Sequence, residues 1–476
     1  MAESINRKEL LEGPIISSLL KLAIPLVLAN ILQSAYQLID AFWVGRLGGD
    51  AVAAVSVTTP VVFLFIALGF GLAIAGSTLI AQYVGAGNFS MVNHVAAQTT
   101  LMVMLVSLLL ASIGYFFTPN LLHLIGVAPE VYRGAVGFMR VTFMGLPFNF
   151  FFIVFQSFMR STGHAKVPVY IVSGTVVLNF LLDPLFIFGW GPIPAMGVMG
   201  AALATFITQV IAALIGLLLL FRGRYGIHLK RKNFAPDWAY IKRAFLLGFP
   251  ASIEQSMRGL GLIVMTFLIT SFGTLTLAAY GVGSSVLQVV MIPAMGLSMA
   301  ISTLVGQNIG AGNIERAAKI GSLGTTLGFW VLTGFGILAF LLAPHLIRFF
   351  VPEDPNVIAA GAEFLRTMSW AWGFIAIQFC LTGVFRASGN MFLSMIIALV
   401  SQWVLQFPLA YVLSRHSPLG TQGLWWAFPV TNLITALITW VIFRKGDWKK
   451  KRLTDEDEVL TRQIAGEIIA EEGIRQ

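Results

Sequence analysis

The sequence predicts an all-α integral membrane protein with twelve transmembrane helices, arranged as two parallel six-helix repeats. Three observations carry that expectation: an apolar composition, bilayer-length apolar stretches along the whole chain, and a self-match at a nearly constant offset. Hydrophobic residues make up 57% of the chain and charged ones 11%, where soluble domains carry about a quarter charged. Such a chain needs lipid around much of its surface. Runs such as Leu101 to Leu110 are apolar on nearly every face, whereas a barrel strand alternates apolar and polar residues, so the spans are read as helices.

The spans are read at 16–44, 51–84, 93–117, 131–158, 166–189, 196–222, 239–271, 276–309, 315–343, 357–384, 391–414 and 420–443, each bounded by Gly, Pro, Asn or charge. Lys and Arg near span ends stay on the cytoplasmic side. With the amino terminus inside, 23 of the 30 Lys and Arg fall on cytoplasmic segments, so both termini are expected in the cytoplasm. The opening segment, Met1 to Pro14, is too polar and too long for a signal peptide and is expected to stay on the mature protein. A net charge of +9 collects at 222–243 and 444–452, beside membrane helices, where topology and anionic lipid explain it without nucleic acid.

The self-match is a duplication. Ser77-Thr78-Leu79, Gln82 and Gly85-Ala86-Gly87-Asn88 return 225 residues later as Ser302-Thr303-Leu304, Gln307 and Gly310-Ala311-Gly312-Asn313. Pro25 falls on Pro250 and Gly48 on Gly273 at the same offset, and Arg160…Gly163 falls on Arg386…Gly389 at 226. The offset encloses six spans, so both copies enter from the same side, as in transporters whose halves rock about a central cavity. The expected domains are an amino-terminal lobe at 1–221, a basic cytoplasmic hinge loop at 222–243, a carboxy-terminal lobe at 244–445 and a cytoplasmic tail at 446–476. The repeated Gly-Ala-Gly-Asn segments are expected to be tight turns needing positive φ, not phosphate loops.

Of 21 acidic residues only Asp40, Asp183 and Glu254 lie well inside spans, where an ionisable group costs several kcal/mol unless paired or hydrated. Gln33, Tyr36, Gln37 and Asp40 share one helical face, and Thr175, Asn179 and Asp183 share another. Both helices start at the cytoplasm and carry their aspartates into the outer half of the bilayer, so the two carboxylates are expected in one pocket. Two close carboxylates in a low dielectric cannot both stay ionised cheaply, which suits proton exchange, and with Asn179 they offer oxygens for Na⁺. Glu254 and Arg258 stand four apart on span 7, as a neutralised structural pair or as a second proton or substrate site. Their repeat partners, Ala29 and Gln33, are uncharged.

A lone Cys380 and six scattered histidines leave no disulfide and no ligand spacing for a catalytic metal, and no nucleophile–base set stands out, so the chain is expected not to be an enzyme. No cofactor is expected beyond a coupling ion, H⁺ or Na⁺. The aromatics, among them Trp43, Phe148, Phe150, Phe151, Trp370 and Trp372, are expected mostly to pack or face lipid.

Ala23-Ile24-Pro25, Asp40-Ala-Phe-Trp-Val44, Gln82-Tyr-Val-Gly-Ala-Gly87, Met159-Arg-Ser-Thr-Gly163 and Asn179-Phe-Leu-Leu-Asp183-Pro184 together resemble the multidrug and toxic compound extrusion (MATE) family, over nearly all of 15–445. The resemblance implies a V-shaped pair of six-helix lobes exporting cationic or amphipathic compounds in exchange for H⁺ or Na⁺, in a bacterial or archaeal inner membrane. Asp40, Asn179 and Asp183 look like the amino-lobe cation site of the DinF-like and archaeal branch, with Tyr36 and Thr205 as polar lining. The chain departs from the NorM-like branch, since 370–385 holds no acidic residue. A monomer is expected, with small molecules and lipid as partners. The alternative is a lipid-linked oligosaccharide or lipid flippase, which needs a cationic groove, whereas the cation read near mid-membrane, Arg258, stands four residues from Glu254.

Overall fold

The structure, a computed structural model, describes residues 8–454, so the first seven residues and the 455–476 part of the expected tail lie outside the described residues. Helices succeed one another with short turns: α1 (Ile15–Gly45), α2 (Gly49–Ala86), α3 (Phe89–Ile125), α4 (Pro129–Ser161), α5 (Lys166–Phe188) and α6 (Val198–Arg222), then α7 (Trp238–Thr270), α8 (Thr274–Gly310) and α9 (Ile314–Phe350). Next come α10, in two pieces (Pro355–Ser369 and Trp372–Ala387) bent by 51°, α11 (Met391–Arg415) and α12 (Thr421–Lys445). Ten of these are long and apolar enough to cross a bilayer, and the bent pair makes an eleventh. The remaining one, α7, is 33 residues long but carries Lys242, Arg243, Glu254 and Arg258. The chain is a multi-pass membrane protein.

The described residues form two compact units, Leu28–Gln255 and Lys8–Val27 with the residues from Ser256 onward. Their boundaries fall inside α1 and α7, and the 222–243 loop lies within the first unit. Each unit repeats the same packing: α2 with α3 and α4, α4 with α3 and α6, α5 with α6, and likewise α8 with α9 and α10, α10 with α9 and α12, α11 with α12.

Duplicated glycines let the opening half of α7 pack on α2 in the first unit, and the opening half of α1 pack on α8 in the second. At Gly71 a Cβ would fall 2.3 Å from the Ser252 backbone nitrogen, and Ser252 Oγ donates to the Leu68 carbonyl at 2.6 Å. At Gly296, 225 residues on, a Cβ would fall 2.6 Å from Val27 Cγ2. Without side chains at these points the helix backbones approach closely, which membrane packing rewards because lipid leaves no hydrophobic drive between apolar helices.

The Gly-Ala-Gly-Asn segments are turns, as the sequence implied. Gly87 (φ 76°) and Gly312 (φ 80°) adopt the left-handed conformation, and the following asparagine N–H groups donate to the Tyr83 and Asn308 carbonyls at 3.0 and 2.8 Å. The loop expected as a hinge is fastened to α3: Gln98 Nε2 donates to the Asn233 and Ala235 carbonyls at 2.9 and 2.7 Å, and His94 pairs with Asp237 at 3.2 Å.

Candidate carboxylate site

Three helices of the first unit build the site. From α1, Asp40 reaches α6, where Thr205 Oγ1 donates to its Oδ2 at 3.3 Å. One turn earlier Tyr36 meets Thr208 on the same helix, with 2.6 Å between the hydroxyls. Thr208 Oγ1 donates to the Thr205 carbonyl at 2.8 Å, so the phenol is the donor to Thr208. From α5, Asn179 and Asp183 stand one turn apart, and Asn179 Nδ2 donates to Asp183 Oδ1 at 3.2 Å. Both are fully buried, while Asp40 is half-buried.

The Asp40 carboxyl stands beside Asp183 and Asn179. Two carboxylate groups bond each other only if one carries a proton; with both ionised, Asp40 Oδ1 and Asp183 Oδ2 have no donor. Asn179 Oδ1 is likewise buried without a partner. Three orphaned acceptor oxygens on converging side chains are costly in a low dielectric, and a shared proton or a hard monovalent cation offsets that cost. The arrangement can therefore hold H⁺ or Na⁺ by oxygen alone.

Other expected residues fall elsewhere. Thr175 turns back on its own helix, donating to the Val172 carbonyl at 2.9 Å. Gln33 and Gln37 are exposed. Glu254 is fully buried. Arg258, in the second unit, lies over the Phe379 ring at 5.4 Å, and its carbonyl accepts from Gln402 Nε2 at 3.5 Å. Trp372, Phe150 and Phe151 are buried in packing, Trp370 is exposed, and Trp43 packs against Phe42, Phe180 and Phe188. Thr208 is the member that sequence reasoning missed; its one signal is the spacing of three from Thr205, which puts both hydroxyls on one face of α6.

The MatE family model matches residues 25–185 and 250–412, two segments whose starts differ by the 225-residue offset of the internal repeat. A probable multidrug resistance protein of Bacillus subtilis, YoeA, is 30% identical over 435 residues, covering 90% of this chain and 94% of that one. An FAD transporter of Shewanella oneidensis is 28% identical, covering 92% of this chain and 97% of the relative. Among solved structures, an outward-facing multidrug resistance MATE family transporter superposes with a TM-score of 0.85 at 24% identity, covering 93% of this chain and 98% of that one. The fold, the duplicated match and the family model agree: the chain belongs to the MATE family of membrane transporters.

Proposed function

We propose that the protein is a secondary active exporter of small amphipathic organic compounds, multidrug in range, that exchanges them for H⁺ or Na⁺ by alternating access. The observation that carries the coupling is the set of orphaned oxygens on Asp40, Asp183 and Asn179. Family membership supports the export reading, and the relatives named as multidrug resistance proteins support its breadth. The relative named as an FAD transporter leaves the charge of the cargo open.

In this reading a proton or sodium ion on the carboxylates and the cargo occupy the protein in alternation, so the inward ion gradient drives cargo outward. Tyr36, Thr205 and Thr208 hold the α1 and α6 faces of the pocket together. The protein works in the cytoplasmic membrane, both termini inside, as a monomer and without a cofactor or catalytic step. The test is accumulation of a fluorescent amphipathic cation by proteoliposomes under an imposed proton gradient and then a sodium gradient. Accumulation above the no-gradient control under one of them is expected; accumulation under neither contradicts ion exchange.

A further inference from the structure

The carboxylates of the first unit border a layer of hydrocarbon. Val44 follows Asp40 by four residues on α1, Ile187 follows Asp183 by four on α5, and Ala201 precedes Thr205 by four on α6. Since α6 runs back from the end where α5 stops, all three steps lead the same way, one turn or about 6 Å toward the end that the export reading places outside. There the three buried side chains close on one another and on Ala51, with Trp43 and Leu47 packed against them. The layer is closely fitted. A Cβ at Gly200 would fall 2.4 Å from the Phe186 carbonyl oxygen, and the connection before α6 ties itself to α5, the Met196 and Gly197 N–H groups donating to the Phe186 and Ile187 carbonyls at 3.0 and 3.1 Å.

In the second unit Ile269 and Leu424, the counterparts of Val44 and Ala201 at offsets of 225 and 223 residues, belong to the same apolar cluster as Met265, so hydrocarbon runs on without a break. In the first unit it stops after one turn, at the acids. An ion crossing that turn would leave water for side chains that offer only carbon.

The structure shows another way in. The large exposed side chains of α1 from Ile31 to Phe42 fall on two faces: Ile31, Leu38 and Phe42 on one, and Gln33 and Gln37, beside the half-buried Asp40, on the other. Ile31 stands two residues from Gln33, and Leu38 and Phe42 stand two from Asp40, which is about 160° around a helix. The apolar face suits lipid. Amides exposed within a span are costly against lipid chains, so the opposite face meets water.

We propose that Val44, Ile187 and Ala201 form an ion-tight plug, and that the coupling ion reaches and leaves Asp40 and Asp183 only along the Gln33 and Gln37 face of α1. The inference rests on the export reading and adds to it the ion's route. Every member of the plug belongs to one unit, so rocking of the halves leaves it shut.

Accessibility is read on the full-length protein in nanodiscs, where both sides meet the reagent. In a Cys380→Ala background, which removes the one native thiol, Gln37→Cys, Leu38→Cys and Ile187→Cys are treated with a membrane-impermeant thiosulfonate. A thiol reacts as its thiolate, which needs water, so only Gln37→Cys is expected to be modified. Modification of Ile187→Cys at the Gln37→Cys rate would overturn the plug, and a Gln37→Cys no more reactive than the lipid-facing Leu38→Cys would overturn the route. Leak is read in proteoliposomes without cargo. Wild type should hold an imposed proton or sodium gradient, Ile187→Ser should dissipate it several-fold faster, and adding Asp40→Asn should slow that leak because the ion passes the carboxylates. A serine variant as tight as wild type, or a leak indifferent to Asp40, would overturn the proposal. If the serine variant does not fold, or if wild type accumulates the amphipathic cation under neither gradient and the export reading falls, the labelling pattern still decides the plug.

Discussion

Asp40 and Thr205 of the first unit correspond, through the duplication, to Met265 and Phe428 of the second. The stretch of α11 that answers to Asn179 and Asp183 contributes Phe407, Leu409 and Ala410. Met265, 1% exposed, sits in an apolar core with Phe364, Ala410, Leu424 and Trp425, against which Phe407, Leu409 and Phe428 pack. The same fold position is thus a carboxylate pocket in one copy and a hydrocarbon core in the other. The second copy closes the same helix junction without acids, by aromatic and aliphatic contacts. The acids of the first are a cost that the second copy avoids, which supports the proposed ion site.

The contrast is tested most severely by moving a carboxylate. Met265→Asp places a charge in the second unit's apolar cluster with none of the partners Asp40 has, at a cost of about 3 kcal/mol. Loss of folded protein from the membrane is expected; wild-type abundance with a sharp melting transition would mean that the second copy tolerates the site as well as the first.

A smaller difference is expected between the two glycine contacts. Gly71→Val presses on backbone at Ser252, whereas Gly296→Val presses first on the tip of the Val27 side chain. The first has little room to yield and should cost about 3 kcal/mol, the second about 1 kcal/mol. Thermal unfolding of the two variants, side by side, checks the order; equal losses would remove the asymmetry.

Around the carboxylates the effects shrink further. Thr205→Val removes the donor to Asp40 and should cost about 1–2 kcal/mol of ion affinity, read as a several-fold rise in the ion concentration needed for half-maximal export. Tyr36→Phe removes only the phenol's bond to Thr208, whose own donation to the Thr205 carbonyl remains. Its effect should stay near 1 kcal/mol, visible as a modest fall in rate at unchanged abundance. Complete loss of export in Tyr36→Phe would place the phenol in the ion's own path.

Much of this was legible in the sequence because the signals are local or repeated. Apolar run lengths mark the spans, the 225-residue offset marks the duplication, and acids within apolar helices stand out against the cost of keeping them there. What escaped depends on contacts between distant segments. Nothing local says that the opening half of α7 packs in the first unit, because the Gly71–Ser252 approach joins residues 181 apart. The bend of α10 falls at Trp370-Ala371, with neither proline nor glycine at the break. The π-helical stretch of α11 reads as ordinary apolar helix, and Gln33 and Gln37 share Asp40's face in the sequence pattern yet remain exposed, since a helical face says nothing of which neighbour covers it.

If the first unit's carboxylates bind the ion, loss of either acid uncouples export. The decisive measurement is gradient-driven accumulation of the amphipathic cation in proteoliposomes holding equal amounts of wild type, Asp40→Asn, Asp183→Asn and the double variant. Both single changes preserve shape and remove one acid from the shared pocket. Wild type is expected to accumulate dye against its gradient, either single variant only to equilibrate it, and the double variant to be no worse than the singles, as for one shared site. Uphill accumulation by Asp40→Asn at the wild-type level would contradict it.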